Sequence, residues 1–405
     1  MYHPITSQIS HVCLDVSFPI LISLIATTRG EKSHGNSLQF RHAELKAALC
    51  TVLDEEDLHL EFDNALSASF DASVEMSDYQ TEVYQNAMQY VRVFHDSTSK
   101  NQQVEIKIAN EKWIETIQRC SLIRGLYEMV GIGDTIQNLA KSALEHGLLD
   151  DMFPSGLNAN ATWRVRLRQY GSTASTSKSK QFGKKMRSPM RQEREAVNQL
   201  KDLLIKLGGE VDLKDADVSI YVLEGLLKPT GEENGIHLAR LLTKGGMLDD
   251  GKAITSIAPT TRKCITNTPL APIEAFTVCN IARIRNGDRV LDPFAGSCTT
   301  LLAASMLAPK SLLSVGIEIA HNSQVNRDHI VQDFQSRGLR EPSAIIRGDS
   351  MDKIVRESAI NAVGDKPFDC IVTDPPYGKI ISGLYNYELK LLRTDFCLLF
   401  QSRHS

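Results

Sequence analysis

Four carboxylates in the second half of the chain stand where chemistry is possible: Asp292, Glu318, Asp349 and Asp374. Asp292 closes Val290-Leu-Asp, and Glu318 closes the apolar run that starts at Leu313. Asp349 follows Ala344-Ile-Ile, and Asp374 closes Cys370-Ile-Val-Thr-Asp. Runs of this kind read as buried parallel strands with polar residues at their C-terminal ends. Open α/β sheets bind ligands at those ends. The quartet Asp374-Pro375-Pro376-Tyr377 is the most informative. Proline fixes φ and brings no N–H. The Asp374 carboxylate and the Pro375 carbonyl therefore offer two acceptors without a competing donor. Two fixed acceptors suit an amine that must be held by its N–H bonds while its lone pair attacks. Tyr377 adds a ring on which a flat partner can stack.

Such a rim needs a layered frame. Helical segments Thr299 to Leu307, Asn322 to Arg337 and Ser350 to Ala362 alternate with the four strands. This alternation predicts an α/β fold with a doubly wound parallel sheet. Gly296 allows the backbone to approach a ligand closely. The helix starting near Thr299 points its N-terminus, where anions bind, at the same place. Pro272 to Ala282 is expected as a helix that buries Ile273, Phe276 and Val278 and packs over the cleft. Gly245 to Thr268, rich in Gly, Asp, Lys and Thr, is expected as a linker.

The 405 residues suffice for two or three domains with proper cores. Net charge is −4, so any nucleic-acid surface must be local. The 8 cysteines form no Cys-x-x-Cys pair, which indicates neither a zinc site nor a disulfide framework and fits a reducing compartment. No metal ligands are expected. No apolar run is long enough to span a bilayer, and Phe18 to Ala26 reads as a core strand.

The first half reads as small α/β units. Leu38 to Leu49 sets Phe40, Leu45 and Leu49 at helical spacing, with Glu44 and Lys46 outside. Asp71 to Asp96 is polar and reads in part as a surface insertion. Val104 to Ile108 alternates as a half-buried strand. Trp113, Ile114, Ile117, Leu122, Leu126 and Val130 predict a helix or a pair of helices. Trp163 to Arg168 predicts a strand with Arg164, Arg166 and Arg168 on one face. Lys184, Lys185, Arg187, Arg191 and Arg194 follow. Together these cations read as a phosphate-binding surface for RNA, with salt-sensitive, sequence-independent affinity. Sparse aromatics point to shape recognition of a folded RNA.

The order Val290-Leu-Asp-Pro-Phe-Ala-Gly296, Glu318, Gly348-Asp349 and Asp374-Pro-Pro-Tyr377 resembles a class I S-adenosylmethionine-dependent methyltransferase of the amino-methylating branch. The rest resembles the N-terminal region and THUMP domain of the tRNA (guanine-10) 2-amino methyltransferases. The carriers are Arg119-Cys-Ser-Leu-Ile-Arg-Gly-Leu-Tyr127, Val211-Asp-Leu-Lys-Asp-Ala-Asp-Val218, Leu238-Ala-Arg-Leu-Leu242, Thr268-Pro-Leu-Ala-Pro-Ile-Glu-Ala-Phe276 and Asn280.

The resemblance implies an N-terminal ferredoxin-like α/β domain (1–155) and a THUMP-like RNA-binding domain (156–245). After the linker (246–268) comes a Rossmann-like S-adenosylmethionine-dependent methyltransferase domain (269–405). The cofactor would be held by Asp292, Phe294, Gly296, Ser297, Glu318 and Asp349. Glu318 would accept from both ribose hydroxyls and Asp349 from the adenine amino group. Cys298 replaces the family's second glycine, so its Cβ and thiol are expected to crowd the methionine end. Asp374 and the Pro375 carbonyl would hold the exocyclic amine, and Tyr377 would stack on an extruded base. The implied partners are tRNA and a small zinc-binding activator subunit, in the cytoplasm. The family's sheet continues after this motif, whereas only 27 residues follow Gly378 and Tyr385 to Phe400 do not match the family, so a partial catalytic domain is expected. Two other readings stay open: amino-methylation of DNA or protein, and a non-catalytic RNA-binding paralogue.

Overall fold

The computed structural model describes residues 20–24, 40–64, 88–97, 102–145, 162–169, 190–207, 209–226, 235–248, 251–266, 269–320 and 325–375. The first elements are β1 (Ile20–Leu24), α1 (Arg41–Leu53), β2 (Leu58–Asn64), β3 (Met88–Ser97), β4 (Gln102–Glu105), α2 (Asn110–Arg119), β5 (Ile123–Gly133) and α3 (Ile136–Glu145). Next come β6 (Thr162–Gln169), α4 (Met190–Gln199), α5 (Lys201–Leu207), β7 (Glu210–Val211), β8 (Val218–Leu226), β9 (Gly235–Lys244) and α6 (Ala253–Ser256). The last are α7 (Pro272–Ile281), β10 (Arg289–Asp292), α8 (Thr299–Leu307), β11 (Leu313–Glu318), α9 (Arg327–Gln335), β12 (Ala344–Arg347), α10 (Lys353–Asn361) and β13 (Cys370–Ile371).

Among the described residues, β1 to β9 form one mixed sheet in the order β2-β3-β1-β5-β9-β8-β6-β7, with β4 beside β3. β5 pairs antiparallel with β1 and with β9. Strands from both sides of residue 155 therefore share this sheet. The remaining strands form a second sheet, β12-β11-β10-β13, parallel throughout. This is the doubly wound order, and its switch point falls between β10 and β13. Both faces of that sheet are covered. Val290, Cys370 and Val372 pack with residues of α7, α8 and α9, while Leu291, Val315 and Ile317 pack with Ala359 and Phe368. Successive residues thus face opposite layers. Two-sided burial explains why these strands read as continuous apolar runs.

Several expectations are corrected. Helix α2 ends at Arg119, and Leu126 and Val130 lie on strand β5. A spacing of four fits one helical turn and also two strand periods. Here Gly125, Gly131 and the β-branched Ile123, Val130 and Ile132 accord with a strand. Glu44 is fully buried rather than outside, while Phe40 is exposed. The end of the expected surface insertion is β3, with Met88, Tyr90, Val91 and Val93 buried. The stretch expected as a linker is packed, since Ala253, Ile257, Arg262 and Cys264 are buried.

The two sheets are joined by α7, which packs against α1 on one side and α8 on the other. Arg283 pairs with Glu56, and Arg285 with Asp54, across the same boundary. Helix α7 therefore braces the back of α8, and none of its residues lines the cleft described next.

Candidate active site

At the switch point lies a cavity of about 420 Å³. Asp292, Phe294, Gly296, Ser297, Glu318, Asp349, Asp374 and Pro375 all line it. Thr266, Pro269 and Leu270, from the segment before α7, line it as well. Pro376 and Tyr377 lie outside the described residues.

Asp292 is buried at the end of β10. The Thr300 hydroxyl donates to its Oδ2. The Thr373 hydroxyl donates to Oδ1 at 2.8 Å, and the Phe294 N–H to the same oxygen at 3.1 Å. Burial pushes its pKa up to about 6; these three bonds oppose the rise, and the nearby Asp374 charge adds to it. One carboxylate thus ties the start of α8 to the segment that carries Asp374.

Glu318 fastens the loop from the other side. Its Oε2 accepts from the Gly296 N–H at 2.7 Å and its Oε1 from the Ala320 N–H at 2.7 Å. Gly296 has a φ of +50°, a left-handed conformation that glycine adopts without penalty. A carboxylate has roughly four lone-pair sites, so Glu318 keeps capacity for two hydroxyl donors. Asp349 is exposed and accepts from the Met351 N–H at 2.9 Å in a turn before α10.

Cys298 corrects the crowding expectation. It sits at φ +61° just before α8, and its side chain is buried in the apolar core. Its Sγ lies 3.5 Å from where a Cβ on Gly316 would stand, and it does not line the cavity. Burial pushes the thiol pKa well up, so this cysteine is inert packing.

Sequence reasoning missed Arg262. Its guanidinium is buried and pairs with buried Asp333 at 3.4 Å. It donates to Thr299 Oγ1 at 2.6 Å and to the Ser297 carbonyl. Burial lowers its pKa, against the pull of Asp333. The only sequence signal was an arginine inside a stretch otherwise read as linker, because Asp333 lies 71 residues away.

The RNA candidates stand apart from the cleft. Trp163, Val165 and Leu167 are buried, and Arg164, Arg166 and Arg168 occupy the other face of β6. Arg164 donates to Ser219 Oγ at 2.8 Å and to the Lys214 carbonyl at 2.5 Å. Arg166 donates to the Leu213 carbonyl at 2.6 Å. Arg168 is exposed and lies 5.6 Å over the Tyr221 ring. Arg194 is exposed on α4, which also carries Arg191. Lys184, Lys185 and Arg187 lie outside the described residues. Among the described residues no group of three or more His, Cys, Asp or Glu is placed to hold a metal ion, and no helix is long and apolar enough to cross a membrane.

Residues 259–388 match the family model of the RMKL-like methyltransferase domain. The chain is similar to the tRNA (guanine(10)-N(2))-methyltransferase TRMT11 of Xenopus laevis, 24% identical over 276 residues, covering 65% of this chain and 52% of the relative. It is similar to the tRNA (guanine(10)-N2)-dimethyltransferase of Methanocaldococcus jannaschii, 26% identical over 175 residues, covering 43% of this chain and 46% of the relative. Over these stretches the chain is similar to tRNA guanine-10 methyltransferases, and its methyltransferase-domain match lies in residues 259–388. It spans about half the length of the curated relatives it matches. Among solved structures, TrmN from Thermus thermophilus aligns with a TM-score of 0.41 at 16% identity, covering 94% of this chain and 85% of that chain. The region matched to the methyltransferase domain includes Arg262, the four rim carboxylates and the Asp374 quartet.

Proposed function

We propose that the chain transfers a methyl group from S-adenosylmethionine to the exocyclic 2-amino group of guanosine at position 10 of tRNA. The observation that carries this is the shared cavity: Glu318, Asp349 and the Asp374-Pro375 pair line one cleft at the sheet's switch point. S-adenosylmethionine, when bound, supplies an activated methyl group on a sulfonium sulfur. The spare acceptor capacity of Glu318 fits the two ribose hydroxyls, and Asp349 fits the adenine amino group. The N-terminus of α8 suits the carboxylate of the methionine end, and the four-carboxylate rim suits the sulfonium charge.

Guanine's 2-amino group is a poor nucleophile, because its lone pair is delocalised into the ring. Asp374 and the Pro375 carbonyl, by accepting its two N–H bonds, favour the pyramidal form whose lone pair is free. The proton lost as the N–C bond forms is one that Asp374 already holds by a hydrogen bond. Alignment of amine and methyl carbon supplies the rest of the effect. Tyr377 belongs to the same proposal, as the ring against which the extruded base stacks.

The RNA-binding role is assigned to a THUMP-like unit of residues 156–245, after an N-terminal unit of 1–155. Arg168 and Arg194 are its leading described phosphate contacts, joined by Lys184, Lys185, Arg187 and Arg191. Arg164 still has donors beyond those given to Ser219 and Lys214, since a guanidinium carries five N–H groups, and Arg166 lies on the same strand face. The zinc-binding activator subunit and a cytoplasmic location rest on family resemblance alone. Incubation of the chain with methyl-labelled cofactor and unmodified tRNA, followed by nucleoside analysis, tests the reading. Label is expected in 2-methylguanosine and absent with Asp374→Ala. Label in another nucleoside, or label that persists in Asp374→Ala, would overturn it.

A further inference from the structure

Arg262 is a buried cation that touches the cavity's loop from behind. Its guanidinium reaches three elements at once: Asp333 in α9, the Ser297 carbonyl before α8, and Thr299 at the start of α8. A weaker contact of 3.4 Å links it to Ser297 Oγ. Asp333 also accepts from the Lys263 N–H at 2.8 Å and the Cys264 N–H at 3.0 Å. The neighbouring Arg337 donates to the Asp333 carbonyl at 2.5 Å and to the carbonyls of Ser256 and Thr261 at 2.6 and 3.1 Å. The cation is therefore set in a frame that is itself rigidly bonded.

The loop it touches, Pro293 to Thr299, forms one wall of the cavity. That loop contains two left-handed residues, Gly296 and Cys298. Cys298 in this conformation is unfavourable on its own. The left-handed turn therefore needs outside support, and two anchors hold it. Glu318 takes the Gly296 N–H, and Arg262 takes the Ser297 carbonyl one residue later. The pair fix peptide groups 295–296 and 297–298 between an anion and a cation.

We infer that Arg262 is a positioning residue for the cofactor: its planar fork holds the Ser297-Thr299 segment in the shape that S-adenosylmethionine binds. This rests on the proposed function of the cleft. A lysine at 262 would keep the charge opposite Asp333, yet a single ammonium lacks the rigid fork that spans Ser297, Thr299 and Asp333 together. A stability role alone would be equally sensitive to Asp333, because a buried charge left without its partner destabilises the fold.

Three chains separate these roles: wild type, Arg262→Lys and Asp333→Asn. Each is titrated calorimetrically with S-adenosylmethionine well below its unfolding midpoint, and amide exchange of residues 293–300 is followed without ligand. Arg262→Lys is expected to bind about tenfold more weakly or worse, the loss expected for a charge-assisted hydrogen bond, with faster exchange in 293–300. Asp333→Asn is expected to lower the unfolding midpoint while keeping affinity within about threefold, below the tenfold that marks 1.4 kcal/mol. If Arg262→Lys does not fold, Thr299→Val removes one acceptor, leaves the ion pair intact, and should reproduce the faster exchange. Wild-type affinity and exchange in Arg262→Lys, or in Thr299→Val where that variant stands in, would overturn the inference while leaving the proposed function intact. Absence of binding by wild type would overturn both.

Discussion

Asn280 of α7 donates to the Glu44 carboxylate of α1 at 2.9 Å, across 236 residues of chain. The same carboxylate accepts from the Ser121 N–H and hydroxyl, each at 2.7 Å, and from the Leu122 N–H at 2.8 Å. Arg119 Nε donates to the other end of the Asn280 amide at 2.9 Å. One buried carboxylate therefore joins the mixed sheet to the parallel one. Burial pushes its pKa up, against the pull of its four donors.

Removing that carboxylate leaves several buried donors without an acceptor, at about 1–3 kcal/mol each before relaxation. Glu44→Ala is expected to destabilise the chain by on the order of 3 kcal/mol and to split calorimetric unfolding into two transitions. Glu44→Gln is expected to rescue part of the loss, because its carbonyl can keep the three donors on Oε1 while its NH₂ meets the Leu122 N–H. A single transition at the wild-type midpoint in Glu44→Ala contradicts this.

Asp292 predicts a pH window. Its folded pKa of about 6 lies above the ordinary 3.8, so the folded chain holds this proton more tightly than the unfolded chain. The stability it contributes is complete below about pH 4 and is lost as pH rises through about 6. The span corresponds to roughly 3 kcal/mol. Asp292→Asn should gain stability relative to wild type between pH 4 and 7 in thermal melts. Parallel pH profiles for the two chains would refute the assignment.

Much of the parallel sheet was legible because each apolar run leads to a carboxylate: Asp292 and Glu318 are the last residues of β10 and β11, and Asp374 follows the end of β13 at Ile371. Glu44 was not legible: a charged residue between Ala43 and Leu45 reads as a solvated helix position until its partners Ser121 and Asn280 are known. Arg262 was hidden in the same way, since nothing near it in sequence foretells Asp333. The turn from α2 into β5 was lost to the spacing of Leu122, Leu126 and Val130, which satisfies both periods.

Cys298→Gly should change little. Relief of the left-handed backbone is worth about 1–2 kcal/mol, and the emptied thiol site costs about 1 kcal/mol. Stability is expected within about 1 kcal/mol of wild type by these figures. Cofactor affinity is expected within about threefold, less than the tenfold that marks 1.4 kcal/mol, because the side chain faces the core. Tightening by tenfold or more in a titration would reinstate the crowding explanation.

Arg168→Gln combined with Arg194→Gln should weaken tRNA binding. Each lost phosphate contact is expected to flatten the slope of log affinity against log salt by about 0.7–0.9. Anisotropy titrations from low to moderate salt read this directly. An unchanged slope would remove these two side chains from the RNA surface.

The central claim is that the switch-point cleft holds S-adenosylmethionine through Glu318. Calorimetric titration of the chain with that compound tests it most directly. The account predicts saturable binding at one site, weakened roughly thirtyfold or more in Glu318→Ala as the ribose hydroxyls lose a charged acceptor. Equal binding by wild type and Glu318→Ala, or none by wild type, would contradict it.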